Sequence, residues 1–191
     1  NTLLCTLFFS ALAVSAVEPF QTRVQFLSGM SRQDAVMWEF KAESGRNSGI
    51  WTNIAVPSCW EQEGFGIYRY GQDKNPPNVQ AIYRRKFQVE PFGNERVRLC
   101  FDGVMTDADV KVNGHSAGPV HAGGFSPFSF GITSLLKPGE NEIEVDVSEN
   151  SAIPDINASE RLADFWLFGG IHRPVFLEFL PAEFIDRIAV D

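Results

Sequence analysis

The sequence predicts an all-β sandwich, and three observations carry that prediction. Several short segments alternate apolar and polar residues with period two. Turn-forming residues separate those segments at short, regular intervals. No segment shows a sustained helical period of apolar residues. Many short alternating strands spaced by turns fold as a sandwich or a jelly roll, because each strand has one face to bury against a second sheet.

The elements follow in chain order. Residues 38–45 are ambiguous, and strand signals dominate from about Trp51. Residues 83–89 place Phe87 and Val89 on one face and run into Pro91. Residues 96–101 point Val97, Leu99 and Phe101 the same way. Residues 109–112 end at Asn113-Gly114, the strongest short-range hairpin signal, because both residues tolerate positive φ. Residues 132–136 fit a single turn before Pro138. Residues 142–147 alternate without a break, as expected of a strand with one wet face. Residues 174–179 form a further strand, and 184–191 alternate like one more. Two long polar connections remain, 69–80 and 150–163; such loops in a compact domain are usually functional or disordered.

Composition narrows the partners. Apolar residues make up 44% of the 191 and charged residues 21%, as in ordinary globular proteins. The net charge of −8 argues against nucleic acid and against anionic membrane surfaces. Residues 3–14 are an apolar run ending at Val14-Ser15-Ala16, the pattern of a secretory signal and too short to span a bilayer, which needs about 20 residues. The expected organisation is therefore a signal remnant at 1–16, a folded domain at 17–181, and the start of a following domain at 182–191. The expected location is periplasmic or extracellular. Cys59 and Cys100 could pair in that compartment or remain thiols. No His or Cys sits at metal-ligand spacing, so neither a metal nor another cofactor is expected.

The most informative stretch is residues 164–177, Asp164-Phe165-Trp166-Leu167 running through Gly169-Gly170 into a strand. A carboxylate at the end of a polar loop beside aromatic rings can accept hydrogen bonds from sugar hydroxyls while rings cover C–H faces. The alternative is that Asp164 pairs with Arg161 or Arg173. Arg173 itself reads as a structural ion pair. Gly169-Gly170 reads as a tight turn. His121-Ala122-Gly123-Gly124-Phe125-Ser126-Pro127-Phe128 reads as a bend between sheets with Phe125 and Phe128 buried. Asn157-Ala158-Ser159 matches a glycosylation sequon. No nucleophile elbow or phosphate loop is present, and nothing marks the facing carboxylate pair that glycoside hydrolysis needs, so no catalytic residue is assigned to this chain.

Seven motifs in order carry a family resemblance: Val56-Pro57-Ser58-Cys59-Trp60-Glu61, Tyr83-Arg84-Arg85-Lys86-Phe87, Phe101-Asp102-Gly103-Val104, Val110-Lys111-Val112-Asn113-Gly114, Gly123-Gly124-Phe125-Ser126-Pro127-Phe128, Gly139-Glu140-Asn141 and Gly169-Gly170-Ile171-His172-Arg173. Together, over residues 35–180, they resemble glycoside hydrolase family 2, in particular the N-terminal sugar-binding domain of its β-galactosidases and β-glucuronidases. The resemblance implies a jelly-roll β-sandwich followed in the same polypeptide by an immunoglobulin-like domain and a TIM barrel that holds both catalytic Glu residues. This chain alone is then inactive, and its partners are a β-glycoside and those domains; assembly into a homo-oligomer is left open. Asp164 stands where the family's substrate-contacting Asp opens its D-x-[FW]-x-x-x-G-I segment, with Trp166 beside it. Tyr70 stands where β-galactosidases carry a substrate-contacting Asn, which puts galactose specificity in doubt. The resemblance leaves two rivals: an independent lectin-like module, and a structural packing domain.

Overall fold

The computed structural model describes residues 21–73, 78–162 and 164–190. The signal-like run at 1–16, with Cys5, lies outside the described residues. Two antiparallel sheets pack face to face. The larger has the order β3 (Thr52–Val56), β2 (Val36–Ala42), β5 (Gln80–Val89), β11 (Gly139–Ser148), β7 (Asp107–Val112) and β8 (His115–Ser116), with β9 (His121–Ala122) also on β7. The smaller has the order β1 (Arg23–Phe26), β13 (Val175–Leu180), β6 (Arg96–Phe101) and β10 (Phe128–Gly131). From β5 to β13 the long strands step alternately between the sheets, which is the winding of a jelly roll. A separate two-stranded ladder joins β4 (Arg69–Tyr70) to β12 (Trp166–Leu167).

Alternation decides which faces meet. Along β11 the side chains of Asn141, Ile143, Val145 and Val147 are buried, while Glu142, Glu144 and Asp146 face outward. Val97, Leu99 and Phe101 of β6 face them across the sandwich, with Leu177 and Phe179 of β13. Trp38 and Phe40 of β2 and Tyr83 of β5 supply the bulk of the large-sheet side of the core. Each large apolar side chain so buried stabilises the fold by about 1.5–3 kcal/mol. The Trp38 indole also donates to the Leu27 carbonyl at 3.1 Å, so its buried N–H is satisfied.

Several expectations are sharpened or corrected. The stretch 38–45, ambiguous in the sequence, contributes residues 38–42 to β2, because pairing with β3 and β5 places Trp38, Phe40 and Ala42 inward. The Asn113-Gly114 hairpin forms as expected, with φ of 51° and 79° and Val112 opposite His115. The connection at 150–163 is not a plain loop: Pro154–Ile156 and Asn157–Arg161 form consecutive helical turns. Residues 184–190 are not in a strand, and among the described residues no strand pairs with them; Asp186 reaches the Arg98 guanidinium at 2.7 Å. Cys59 and Cys100 are both free thiols.

Candidate functional site

The β4–β12 ladder is set by what lies behind it. Gly169 passes so close to Trp60 that a Cβ there would sit 2.1 Å from the indole Cζ2. Gly170 has a φ of 113° and backs onto the Tyr83 hydroxyl. This pair presses the chain onto the core and sends residues 164–168 out over β4. Trp166 then registers with Tyr70, and Leu167 with Arg69. The Gly71 N–H donates to the Phe165 carbonyl at 2.9 Å and extends the ladder. A tight turn was the expected role of these glycines; rejection of any side chain by Trp60 is the added reason.

The three residues singled out in the sequence meet here. The Tyr70 hydroxyl donates to Oδ1 of Asp164. The Tyr70 ring meets the Trp166 ring edge-on, with centroids 5.4 Å apart. Trp166 is 56% exposed and Phe165 46%. Tyr68 adds an edge-on contact to Trp166 at 6.3 Å and carries the Arg46 guanidinium over its own face. The hydrogen bond to Asp164 holds the Tyr70 phenol above its ordinary pKa. Two hollows border the β4–β12 ladder. One, of about 320 Å³, is lined by Tyr70, Asp73 and Leu162, and the other, of about 190 Å³, by Phe125, Phe165 and Trp166. An exposed carboxylate flanked by exposed rings suits a ligand that presents hydroxyls on one side and C–H groups on the other.

Neither arginine takes up Asp164. Arg161 is buried and pairs with Glu149 at 3.0 Å. Among the described residues Arg173 forms no ion pair: it donates to the carbonyls of Asp102 and Phe125, because the bend at 123–128 brings backbone rather than a carboxylate to it. That bend leaves Phe125 half exposed, not buried, since its side chain turns toward the hollow beside Trp166. Phe128 does pack inward, stacked on Phe101 at 4.8 Å. The sequon Asn157 spends its amide on Ser151, as donor to the carbonyl and acceptor from the N–H. Among the described residues no group of three or more His, Cys, Asp or Glu side chains could hold a metal ion. A further cleft of about 600 Å³ runs along Asp107, Asp109 and Asp146, and neither an aromatic ring nor Tyr70, Asp164 or Trp166 lines it.

The model of the family described as glycosyl hydrolases family 2, sugar binding domain, matches residues 47–181. The chain belongs to glycosyl hydrolase family 2. Within it, this sugar-binding domain is 42% identical over 103 residues to a β-galactosidase of Thermoanaerobacter pseudethanolicus, covering 51% of this chain and 13% of that protein. It is 31% identical over 159 residues to a β-galactosidase of Priestia megaterium, covering 73% of this chain and 15% of that one. A crystal structure of a Bacteroides uniformis β-glucuronidase superposes with a TM-score of 0.61 at 26% identity, over 84% of this chain and 18% of that one. The family 2 domain thus spans less than a fifth of the length of each of these relatives. Reading the sequence missed two parts of the site. Tyr68 could have been suspected from its place beside Tyr70. Glu149, held between Arg69 and Arg161, has no local signal, because its partners lie 80 and 12 positions away.

Proposed function

We propose that this domain supplies Asp164, with Tyr70 and Trp166 around it, to the sugar-binding subsite of an exo-acting, retaining β-glycosidase whose barrel belongs to the same polypeptide. The observation that carries this reading is the exposed Asp164 carboxylate. Within its own domain it is held by the Tyr70 hydroxyl, and it stands among rings left open. A carboxylate serving only this domain would be expected to sit on one of the nearby arginines. One oxygen held by Tyr70 fixes the carboxylate, and the other is free to accept a sugar hydroxyl. The test is Asp164→Ala in the full-length enzyme, assayed on aryl β-glycosides. Loss of a charge-assisted hydrogen bond should lower kcat/KM by roughly 10- to 150-fold, the equivalent of about 1.5–3 kcal/mol. An unchanged kcat/KM would remove the substrate role.

The preferred sugar is open to the same assay. Tyr70 replaces the Asn expected of a galactose binder, and the relatives include β-galactosidases and β-glucuronidases. A panel of aryl galactoside, glucuronide and glucoside decides among them. Export is part of the reading and rests on the apolar run at 3–14; N-terminal sequencing of the mature protein checks for cleavage after Ala16. The exposed rings of Phe165, Trp166 and Tyr68 favour one alternative, a lectin-like module. Calorimetry on this chain separates the two, since measurable oligosaccharide binding by the chain alone supports the module.

A further inference from the structure

The two segments that meet in the β4–β12 ladder converge on one buried carboxylate. Glu149 lies just past the end of β11 and is fully buried. Its backbone is pinned to the sandwich: the N–H donates to the Val79 carbonyl at 2.9 Å, and its own carbonyl accepts the Thr106 hydroxyl at 2.8 Å. Oε1 accepts a hydrogen bond from Nη2 of Arg161 at 3.0 Å and forms an ion pair with Arg69, whose Nε lies 3.0 Å away. Arg69 immediately precedes Tyr70, and Arg161 stands three residues before Asp164. The guanidiniums extend the link, Arg69 to the Asn150 side chain at 2.5 Å and Arg161 to the Phe168 carbonyl at 3.0 Å. Both arginines are at most 5% exposed.

We infer that Glu149 is a positioning residue for the sugar-contacting ridge, fixing Tyr70 and Asp164 relative to each other through Arg69 and Arg161. The inference rests on the role proposed for Asp164. Three buried charges are a costly way to stabilise a domain, since apolar side chains of the same volume often do as well or better. What a shared carboxylate adds is geometry. β4 and β12 belong to neither main sheet and pair with each other over two residues each. A two-residue ladder is too short to hold its own register firmly. Tying both strands to the end of β11 gives them the rigidity of the sandwich, which a binding carboxylate requires.

The test uses the full-length enzyme. Arg161→Met and Arg69→Met each keep an unbranched chain in place of the arginine's aliphatic stem and leave Glu149 one guanidinium, so they are safer for folding than Glu149→Gln. Each is expected to lower kcat/KM on an aryl β-glycoside by on the order of 10- to 100-fold, the scale of a displacement near 1 Å. Arg161→Lys should recover part of the loss. In an Asp164→Ala background, Arg161→Met should cost less than about two-fold more, because the group it positions is already gone. Losses that multiply in the double variant overturn the inference. So does an unaffected Arg161→Met when Asp164→Ala is impaired. If Asp164→Ala is itself silent, the substrate role fails, and the tether is read instead by hydrogen exchange at Gly71, whose N–H joins the two segments. Faster exchange in both arginine variants supports the tether, and unchanged exchange overturns it.

Discussion

The Tyr70 hydroxyl donates a hydrogen bond to the Asp164 carboxylate across 94 positions of sequence. The bond orients Asp164 and occupies one of its two oxygens. Tyr70→Phe keeps the ring that packs edge-on against Trp166 and removes only the donor. The bond is charge-assisted, but water competes for it at this exposed site and Asp164 itself stays in place, so its loss is worth about 0.5–1.5 kcal/mol. We expect kcat/KM of the full-length enzyme to fall by roughly 2- to 10-fold, less than in Asp164→Ala. A value equal to wild type would show that Asp164 needs no such orientation.

Gly169 is expected to tolerate no side chain. An alanine Cβ would meet Trp60 Cζ2 at 2.1 Å, and Trp60 is fully buried, so neither can yield. Overpacking of this kind costs about 1–3 kcal/mol. Gly169→Ala should lower the melting temperature by several degrees and, because β12 follows from this contact, weaken activity as well. Thermal unfolding at wild-type temperature would show that the Trp60 pocket is looser than described.

Glu61 makes a pH prediction. Burial, with a smaller contribution from the charge of Glu149, pushes its carboxyl from an ordinary 4.5 up to about 7, against the opposing Gly169 N–H. The folded state therefore keeps a proton that the unfolded chain has already released. Stability contributed by protonated Glu61 is full below about pH 4.5 and is lost as pH rises toward 7. The total is at most roughly 3 kcal/mol. Glu61→Gln keeps an acceptor for Gly169 and cannot ionise, so its melting temperature should fall less than wild type between pH 5 and 7.5. Parallel curves would show that Glu61 titrates normally.

Asn113 should be hard to replace in spite of its partly exposed position. It adopts φ of 51°. Its side chain donates to the Leu135 carbonyl and to Asn141 at 2.8 Å each, and accepts the Glu142 N–H at 3.0 Å. Asn113→Ala loses those bonds and strains the turn, at a combined cost of roughly 2–4 kcal/mol. Asn113→Gly relieves the strain but not the lost bonds, so chemical denaturation should place it between wild type and the alanine variant.

How far the sequence could be read depends on the range of the forces involved. Val97, Leu99 and Phe101, and likewise Ile143, Val145 and Val147, announce their strands because alternation is a local consequence of strand geometry. β1 gives no such signal: Arg23, Val24 and Phe26 are exposed and Gln25 is half-buried, and the segment is strand because β13 offers it a partner edge. The converse holds at 184–190, which alternates but joins no edge among the described residues. Asp164, Tyr70 and Trp166 were separately legible as residue types in motifs, and their meeting was not.

By itself, the sequence determined the sandwich, its principal strands, the Asn113-Gly114 hairpin and the residues worth watching. Each of these follows from spacing or turn chemistry acting over a few residues. Tertiary structure alone decided that Tyr70 would hold Asp164, that Phe125 would face outward, and that Arg69 and Arg161 would share Glu149. Those outcomes depend on which distant segments the closing sandwich brings within about 3 Å of one another, a distance at which hydrogen bonds and ion pairs form, and no local pattern encodes it.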